Sequence, residues 1–452
     1  MAKRPANIVY GVDQMPPLAV TLLMGLQHIF VMSSTLALPV VIVQEIGGSM
    51  EEINALVCFS MIAAGIGTIL QAIKKGPIGS GYLCPNLCGP SYLGVSMQAA
   101  WLGGLPLMHG MTMLAGLFEV LFSRVVNRLK FLFPNQVTGV VVLMVGVALI
   151  PLGTSKFLGI EISGDPVSFK GTLAAGLTLL AMIGVNIWGK GQFRLYCVLI
   201  GMVVGYLLSS ALGIMNQNDW LKILRAPWVD LPWKGSVMFS FAFEWSMVGP
   251  FMIVAICASL KSFGNLTTCQ KINDEDWEQP DVKNVGKGLL ADGISVFSGG
   301  LLGGMAVDTS ASNVGLTAAT GATSRWIAMA AGGLYVTLAF CPKLTTLVVL
   351  MPAPAMGAIL IFVTCFMLIS GVNIITTTPL DVRKTFIVGA SVIFGLSLDI
   401  MPEAYSQLHP WLKAIFSTSL TTATVMAIIL NQLFSLGSKS LNPEAAKTVK
   451  PE

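Results

Sequence analysis

The sequence predicts an all-α polytopic membrane protein of fourteen transmembrane segments, arranged as two inverted repeats of seven. Three observations carry this. Of 452 residues, 54% are hydrophobic and only 11% are charged, against roughly 25% charged residues in ordinary soluble domains. Apolar runs of about 20 residues, each long enough to cross a bilayer, recur along nearly the whole chain. Two of these runs are interrupted by Gly, Pro, Ser and Thr, and they hold corresponding places in the two halves. With a mean hydropathy of +0.77, a soluble enzyme of this size would lack the charged surface it needs.

In chain order the segments are read near 17–40, 52–73, 77–102, 106–128, 135–153, 170–188, 194–213, 247–269, 284–304, 309–322, 326–349, 355–375, 384–400 and 411–435. Pro16 and Pro17 precede the first, where proline is tolerated in an opening helical turn. The third begins Gly76-Pro-Ile-Gly-Ser-Gly-Tyr-Leu-Cys-Pro-Asn-Leu-Cys-Gly-Pro90, and the tenth contains Val307-Asp-Thr-Ser-Ala-Ser-Asn-Val-Gly315. Each becomes helical only partway along. Non-helical backbone at membrane depth is tolerated only where protein buries it or a cavity lies beside it. A matched pair of breaks is the expected mark of inverted repeats around a midplane site. The loop from about Ile214 to Ser246 separates the halves and carries Trp220, Trp228, Trp233 and Trp245, as an interfacial belt would.

Charge bias sets the orientation. If the N-terminus is cytoplasmic, 18 of the 26 Lys and Arg residues fall in cytoplasmic loops and tails, 7 fall outside, and Lys261 lies within a segment. This fits the positive-inside rule and places both termini in the cytoplasm of an inner (plasma) membrane protein. Met1 to Asp13 is short and polar, so no cleavable signal peptide is expected. The eight cysteines are scattered through apolar runs. Cys84-x-x-x-Cys88 lacks a second pair or a nearby His, so these read as membrane-core thiols and no metal site is expected. No Gly-x-x-x-x-Gly-Lys-[Ser/Thr] loop is present, which argues against ATP-driven transport. Neither a metal cluster nor a nucleophile elbow favours an enzyme.

Few polar groups lie inside the segments, and such groups usually line a pathway or pair with one another. They are His28, Glu119, Lys261, Asn265, Asp292, Asp308 and Asn313. Gln27 and His28, midway along the first segment, either line a site or only fix helix packing. Glu119 reads as an interfacial ion pair with nearby Arg124. Lys261 and Asn265, four residues apart, share a helical face. Lys261 either locks helices together by pairing with Asp292 or faces the cavity and meets an anionic group. The starts of the two broken helices carry unpaired N–H groups and positive dipole ends, which suits electronegative oxygens. Close packing explains Gly299, Gly300, Gly303 and Gly304 well, but not the cluster of Asp308, Thr309, Ser310, Ser312 and Asn313.

The chain resembles the nucleobase–ascorbate transporter family, which includes bacterial uracil and xanthine permeases. The resemblance runs from about Tyr10 to Phe434. It rests on Tyr10-Gly-Val-Asp-Gln-Met-Pro-Pro17, Gly25-Leu-Gln-His28, Gly89-Pro-Ser-Tyr92, Leu290-Ala-Asp292-Gly293, and the signature positions Asn313, Gly315, Thr320 and Gly321. It implies short strands in the third and tenth segments with substrate between them. It also implies a core domain of segments 1–4 and 8–11 (17–128 and 247–349) and a gate domain of segments 5–7 and 12–14 (135–213 and 355–435). An elevator-like shift, a homodimer, and a coupling ion that is a proton or else sodium follow from the same resemblance, with no cofactor and no nucleic acid partner. Two positions depart from the family. Lys261 and Asn265 stand where members carry Glu and Asp, and Ser312 stands where they carry Gln, Glu or Pro. A carboxylate accepts ring N–H protons, whereas an ammonium only donates. The expectation is therefore a secondary active transporter, not an enzyme, importing a purine such as xanthine or urate, or a related planar anion.

The substrate-binding set expected on this reading is Lys261, Ser312, Asn313, Tyr92, Ala311 and Asn265. Asp292, His28 and Gln27 would organise the site or couple protons, with Lys261 itself as another proton donor. The rival readings are an anion exchanger or channel for small organic or inorganic anions on the same fold, and a non-transporting receptor.

Overall fold

In a computed structural model of the protein, the described residues are 4–132, 134–160, 167–190, 193, 196–230, 240–343, 346, 350–406, 416 and 419–441. Outside them lie Trp233, the end of the expected eleventh segment and most of the start of the fourteenth. The first half comprises α1 (Leu18–Met32), α2 (Ala37–Glu45), α3 (Met50–Ala72), β1 (Asn86–Cys88), α4 (Leu93–Val125), α5 (Asn135–Val147), α6 (Ile150–Leu158), α7 (Phe169–Trp188) and α8 (Cys197–Ala211). The amphipathic α9 (Gln217–Arg225) follows, in what the sequence suggests is a loop. The second half comprises α10 (Trp245–Asn273), α11 (Val282–Leu302), β2 (Val307–Thr309), α12 (Ala311–Thr320), α13 (Arg325–Leu338), α14 (Ala353–Ile375), α15 (Val382–Ile400), α16 (Pro402–Ser406) and α17 (Ser419–Leu441).

Among the described residues, seven helices are long and apolar enough to cross a membrane. The difference from fourteen has local causes. The helical part of the third segment and the whole of the fourth run on as one element, α4, joined at a kink. There Gly103 and Gly104 leave helical geometry, with Gly104 at φ 70°, and Pro106 follows. The stretch from α1 to α2 is interrupted by a 3-10 turn at Ser33–Thr35, while α8, α12 and α13 are shorter than a full span.

Local chemistry sets the helix ends. Ser49 and Glu52 form a reciprocal capping box at the start of α3. Asp281 caps α11 and Ser310 caps α12 through side-chain oxygens. Small residues let α4 and α11 pack backbone to backbone: a Cβ on Gly116 would lie 2.3 Å from Phe297 N, and one on Gly293 would lie 2.7 Å from Val120 N. α3 packs likewise on α13, while α14 packs on α5, α6 and α7.

The two breaks meet. β1 and β2 pair antiparallel, with Asn86 opposite Thr309, Leu87 opposite Asp308 and Cys88 opposite Val307. Both strands are buried. A 3-10 turn at Pro90–Tyr92 leads from β1 into α4, and Ser310 leads from β2 into α12. At the other end of α12, Gly321 takes the left-handed conformation (φ 69°). Its carbonyl accepts from Val9 N at 2.8 Å, which ties the N-terminal segment to the centre. A Cβ there would meet Asn7 O at 2.3 Å.

Gly321→Ala should therefore cost about 1–2 kcal/mol from its backbone angle, and the Asn7 clash should add to this. A lowered melting temperature of the purified variant, beside an unchanged or raised one for Gly176→Ala, which sits inside α7 with open space around its Cβ, checks this.

Candidate functional site

The strand pair is too short to satisfy its own backbone, and side chains complete it. Thr68 Oγ1 accepts from Asn86 N at 2.9 Å, and Ser60 Oγ accepts from Met305 N at 2.9 Å. Asn265 Nδ2 donates to Thr309 O at 3.1 Å and to Thr309 Oγ1 at 2.9 Å. Gly89 N donates to Ala306 O, and Ser310 N to Pro85 O, so the chains stay cross-linked beyond the three pairs.

Two carboxylates hold this unit to α10 and α11. Asp292, fully buried, accepts from Asn86 Nδ2 at 2.7 Å on one oxygen and from Ser262 Oγ at 2.5 Å on the other. Asp308 on β2 has Oδ1 2.8 Å from Lys261 Nζ, and its Oδ2 accepts from Ser91 Oγ at 2.8 Å. The Lys261 side chain keeps 13% of its surface exposed, whereas Asp308 keeps none.

That exposed part of Lys261 faces a cavity of about 330 Å³, within the size range of small-molecule sites. One wall is formed by Thr35, Leu87, Pro90, Ser91, Lys261, Ser310, Ala311 and Ser312. The other is formed by Val145, Ala148, Leu149, Pro151, Leu152, Leu360, Asp399, Ser419 and Leu420. The first wall is polar, with one ammonium, hydroxyls and the start of α12. The second is largely aliphatic. This combination can grip the acceptor edge of a flat ring on one side and exclude water on the other.

The expected site residues divide sharply. Lys261, Ala311 and Ser312 line the cavity. Tyr92, Asn265 and Asn313, expected to contact substrate, are not among the residues lining this cavity. Tyr92 is fully buried and its hydroxyl donates to Glu119 Oε1. Asn265 spends its amide on Thr309, as above. Asn313 Nδ2 donates to Ser310 Oγ at 2.8 Å, and Asn313 Oδ1 accepts from His28 Nδ1 at 2.7 Å. His28 Nε2 is buried and has no hydrogen-bond partner among the described residues. Gln27 Oε1 accepts from Leu199 N at 2.9 Å, linking α1 to α8.

The pairing of Lys261 with Asp292 is not observed; Asp308 is its partner. Glu119 is also corrected: it is buried with Tyr92, away from an interfacial pair with Arg124. Of the signature residues, Gly315 is buried within α12, Thr320 Oγ1 donates to Leu316 O at 2.9 Å, and Gly321 ends the helix.

Sequence reasoning missed Asn86, Ser91 and Ser262 as supports, and Asp399 and Ser419 on the far wall. Asn86 and Ser91 lie in or beside the matched break of the third segment, which was their signal. Asp399 and Ser419 lie near segment ends, where a polar residue reads as interfacial.

Comparison with known proteins gives one family. Residues 19–404 match the model of the permease family designated Xan_ur_permease. The uric acid permease PucJ of Bacillus subtilis is 28% identical over 427 residues, covering 92% of this chain and 93% of that protein. The xanthine permease XanP of Escherichia coli is 26% identical over 443 residues, covering 95% of each. The murine Solute Carrier 26 family member A9 anion transporter in its inward-facing state is 10% identical with a TM-score of 0.53, covering 94% of this chain and 70% of that one. The last similarity is one of fold.

Asp292→Ala should strand the Asn86 amide and the Ser262 hydroxyl in a buried site, at about 1–3 kcal/mol for each group. We expect a clear drop in melting temperature together with loss of ligand binding. Asp292→Asn, which keeps an acceptor, should melt between the two. A melt of Asp292→Ala equal to the parent's would show that these bonds do not hold the strand pair.

Proposed function

The chain belongs to the Xan_ur_permease family of permeases, and from that premise we propose that it is a secondary active transporter importing a purine such as xanthine or urate, or a related planar anion. It is a transporter and not an enzyme. The observation that carries the ligand class is Lys261, whose side chain lines the cavity beside Ser310, Ser312 and the start of α12. The ammonium, the Ser312 hydroxyl and the N–H groups at the start of α12 are donors, so this wall favours ring carbonyls and anionic edges, while Asp399 on the other wall can accept from a ring N–H. The named relatives transport xanthine and uric acid, molecules rich in such edges. The binding residues proposed are Lys261, Ser312 and the backbone of Ala311. Asn313, Asn265 and Tyr92 act behind them as supports of the two breaks. Asp292, His28 and Gln27 organise the site.

The proposed architecture is fourteen segments in two inverted sevens. The antiparallel pairing of the third-segment break with the tenth-segment break supports this. The proposed core and gate domains keep the boundaries expected above. A cavity with one wall from α10, α12 and the strand region, and the other from α5, α6, α14, α15 and α17, supports that division and an elevator-type shift between them. With the N-terminus in the cytoplasm, Pro151, Asp399 and Ser419 fall toward the outer ends of their segments, so the cavity reads as open to the outside. A proton is the proposed coupling ion, with sodium the alternative, and a homodimer in the inner membrane is the proposed assembly.

The same ammonium also suits small inorganic or carboxylate anions, and this second reading has its own test. A thermal-shift panel on the purified protein should show stabilisation by urate and xanthine, and excess bicarbonate should not displace them. Displacement by bicarbonate would favour the small-anion reading. Lys261→Gln should weaken purine binding by about 1.5–3 kcal/mol, the worth of a charge-assisted hydrogen bond and roughly ten- to a hundredfold in affinity. An unchanged affinity in that variant would remove Lys261 from the site.

A further inference from the structure

Asp308 is the charged group of the strand pair, and the reading above leaves it unused. Its carboxylate is fully shielded and does not line the cavity. Lys261 touches it at 2.8 Å and faces the cavity as well. One ammonium thus stands between a buried carboxylate and the space proposed for the ligand. The other titratable groups acting on Asp308 are Asp292 on α11, Glu119 on α4, Tyr92 before α4, and Cys88 on β1. None of these four is a cation, and Asp399, which lines the cavity from the other wall, is a further acid facing the ligand space. Among the described residues, Lys261 is the one ion-pair partner of Asp308.

We infer that Lys261 is an exchangeable counter-ion: when an anionic ligand binds, Lys261 leaves Asp308 for the ligand, and Asp308 takes up a proton from the aqueous phase. This rests on the proposal that the cavity takes an anion. The charge balance is simple. The Lys261–Asp308 pair is neutral. A monoanion added beside it leaves one net negative charge at low dielectric, which is costly without a further cation. A proton forming an O–H bond on Asp308 returns the site, Asp399 included, to the charge it carried before the anion entered, and no other covalent bond within the protein or the ligand is made or broken. The anion and the proton then cross together.

Ser91 is suited to both states, because its hydroxyl can donate to a carboxylate or accept from a carboxylic acid. Asp292 is less suited to the exchange, because neutral donors already occupy both its oxygens and none of them is drawn to an anion. The coupling role therefore passes from Asp292 to Asp308, a position the sequence marks only as one polar residue among several.

The test is titration calorimetry of the full-length protein in detergent, with urate, xanthine and benzoate as probes, in buffers of different ionisation heats. We expect uptake of about one proton per bound anion, with affinity falling about tenfold per pH unit as pH rises. Asp308→Asn should still bind the anion, without proton uptake and with a flat pH profile. A purely structural role for Asp308 would move the affinity but leave the proton count. If Asp308→Asn does not fold, the wild-type proton count decides, together with loss of both binding and uptake in Lys261→Gln. Anion binding without proton uptake, equal uptake in Asp308→Asn, or no binding of any probe overturns the inference. Proton-linked binding of benzoate alone sustains it while sinking the purine reading.

Discussion

A buried backbone must satisfy its own polar groups, and that constraint shapes the centre of this protein. Two chain segments lose helical structure in the interior, where water is excluded. Three strand pairs satisfy part of the exposed backbone. Thr68, Ser60 and Asn265 satisfy more of it with side-chain oxygens and amides. Because these groups come from α3 and α10, the helices around the breaks cannot shift independently of the strands. The glycine seam between α4 and α11 follows from the same need. Beside that seam, Asp292 of α11 reaches Asn86 of β1, and Tyr92 reaches Glu119 on the far side of the α4 kink.

The two acidic residues near β1 and β2 do different work. Asp292 is saturated by neutral donors and behaves as a fastener between α11, α10 and β1. Asp308 shares its oxygens between a hydroxyl and an ammonium. An ammonium held by one anion on its buried side remains able to meet another on its open side. The cavity accordingly has a polar wall with a charge that is only partly committed, set against a largely aliphatic wall that also carries Asp399 and Ser419. This asymmetry separates the site from a plain packing defect, whose lining would be apolar throughout.

Much of the candidate site was legible before any coordinates. Lys261 and Ser312 were marked by being polar where the surroundings are apolar, and both line the cavity. Asn265, Asn313 and Tyr92 were marked by the same signal, yet their polar groups bond to Thr309, to Ser310 and His28, and to Glu119. Polarity in an apolar segment says that a side chain needs a partner, not whether the partner is a ligand or a neighbouring backbone group. Asn265 illustrates this: it shares a helical face with Lys261, and one turn of α10 is enough to move it from the cavity to Thr309 O.

The sequence by itself determined the membrane environment, the places where the helices break and the presence of a cation at depth. These follow from hydropathy, from glycine and proline, and from the cost of burying charge, all of which are local properties. Only the tertiary structure decided that Lys261 pairs with Asp308 and not Asp292, that Glu119 is buried with Tyr92, and that Asp399 faces the cavity from the other wall. Those choices depend on the strand register and on which helical faces meet. Residues far apart in the chain fix both, so no single segment carries them.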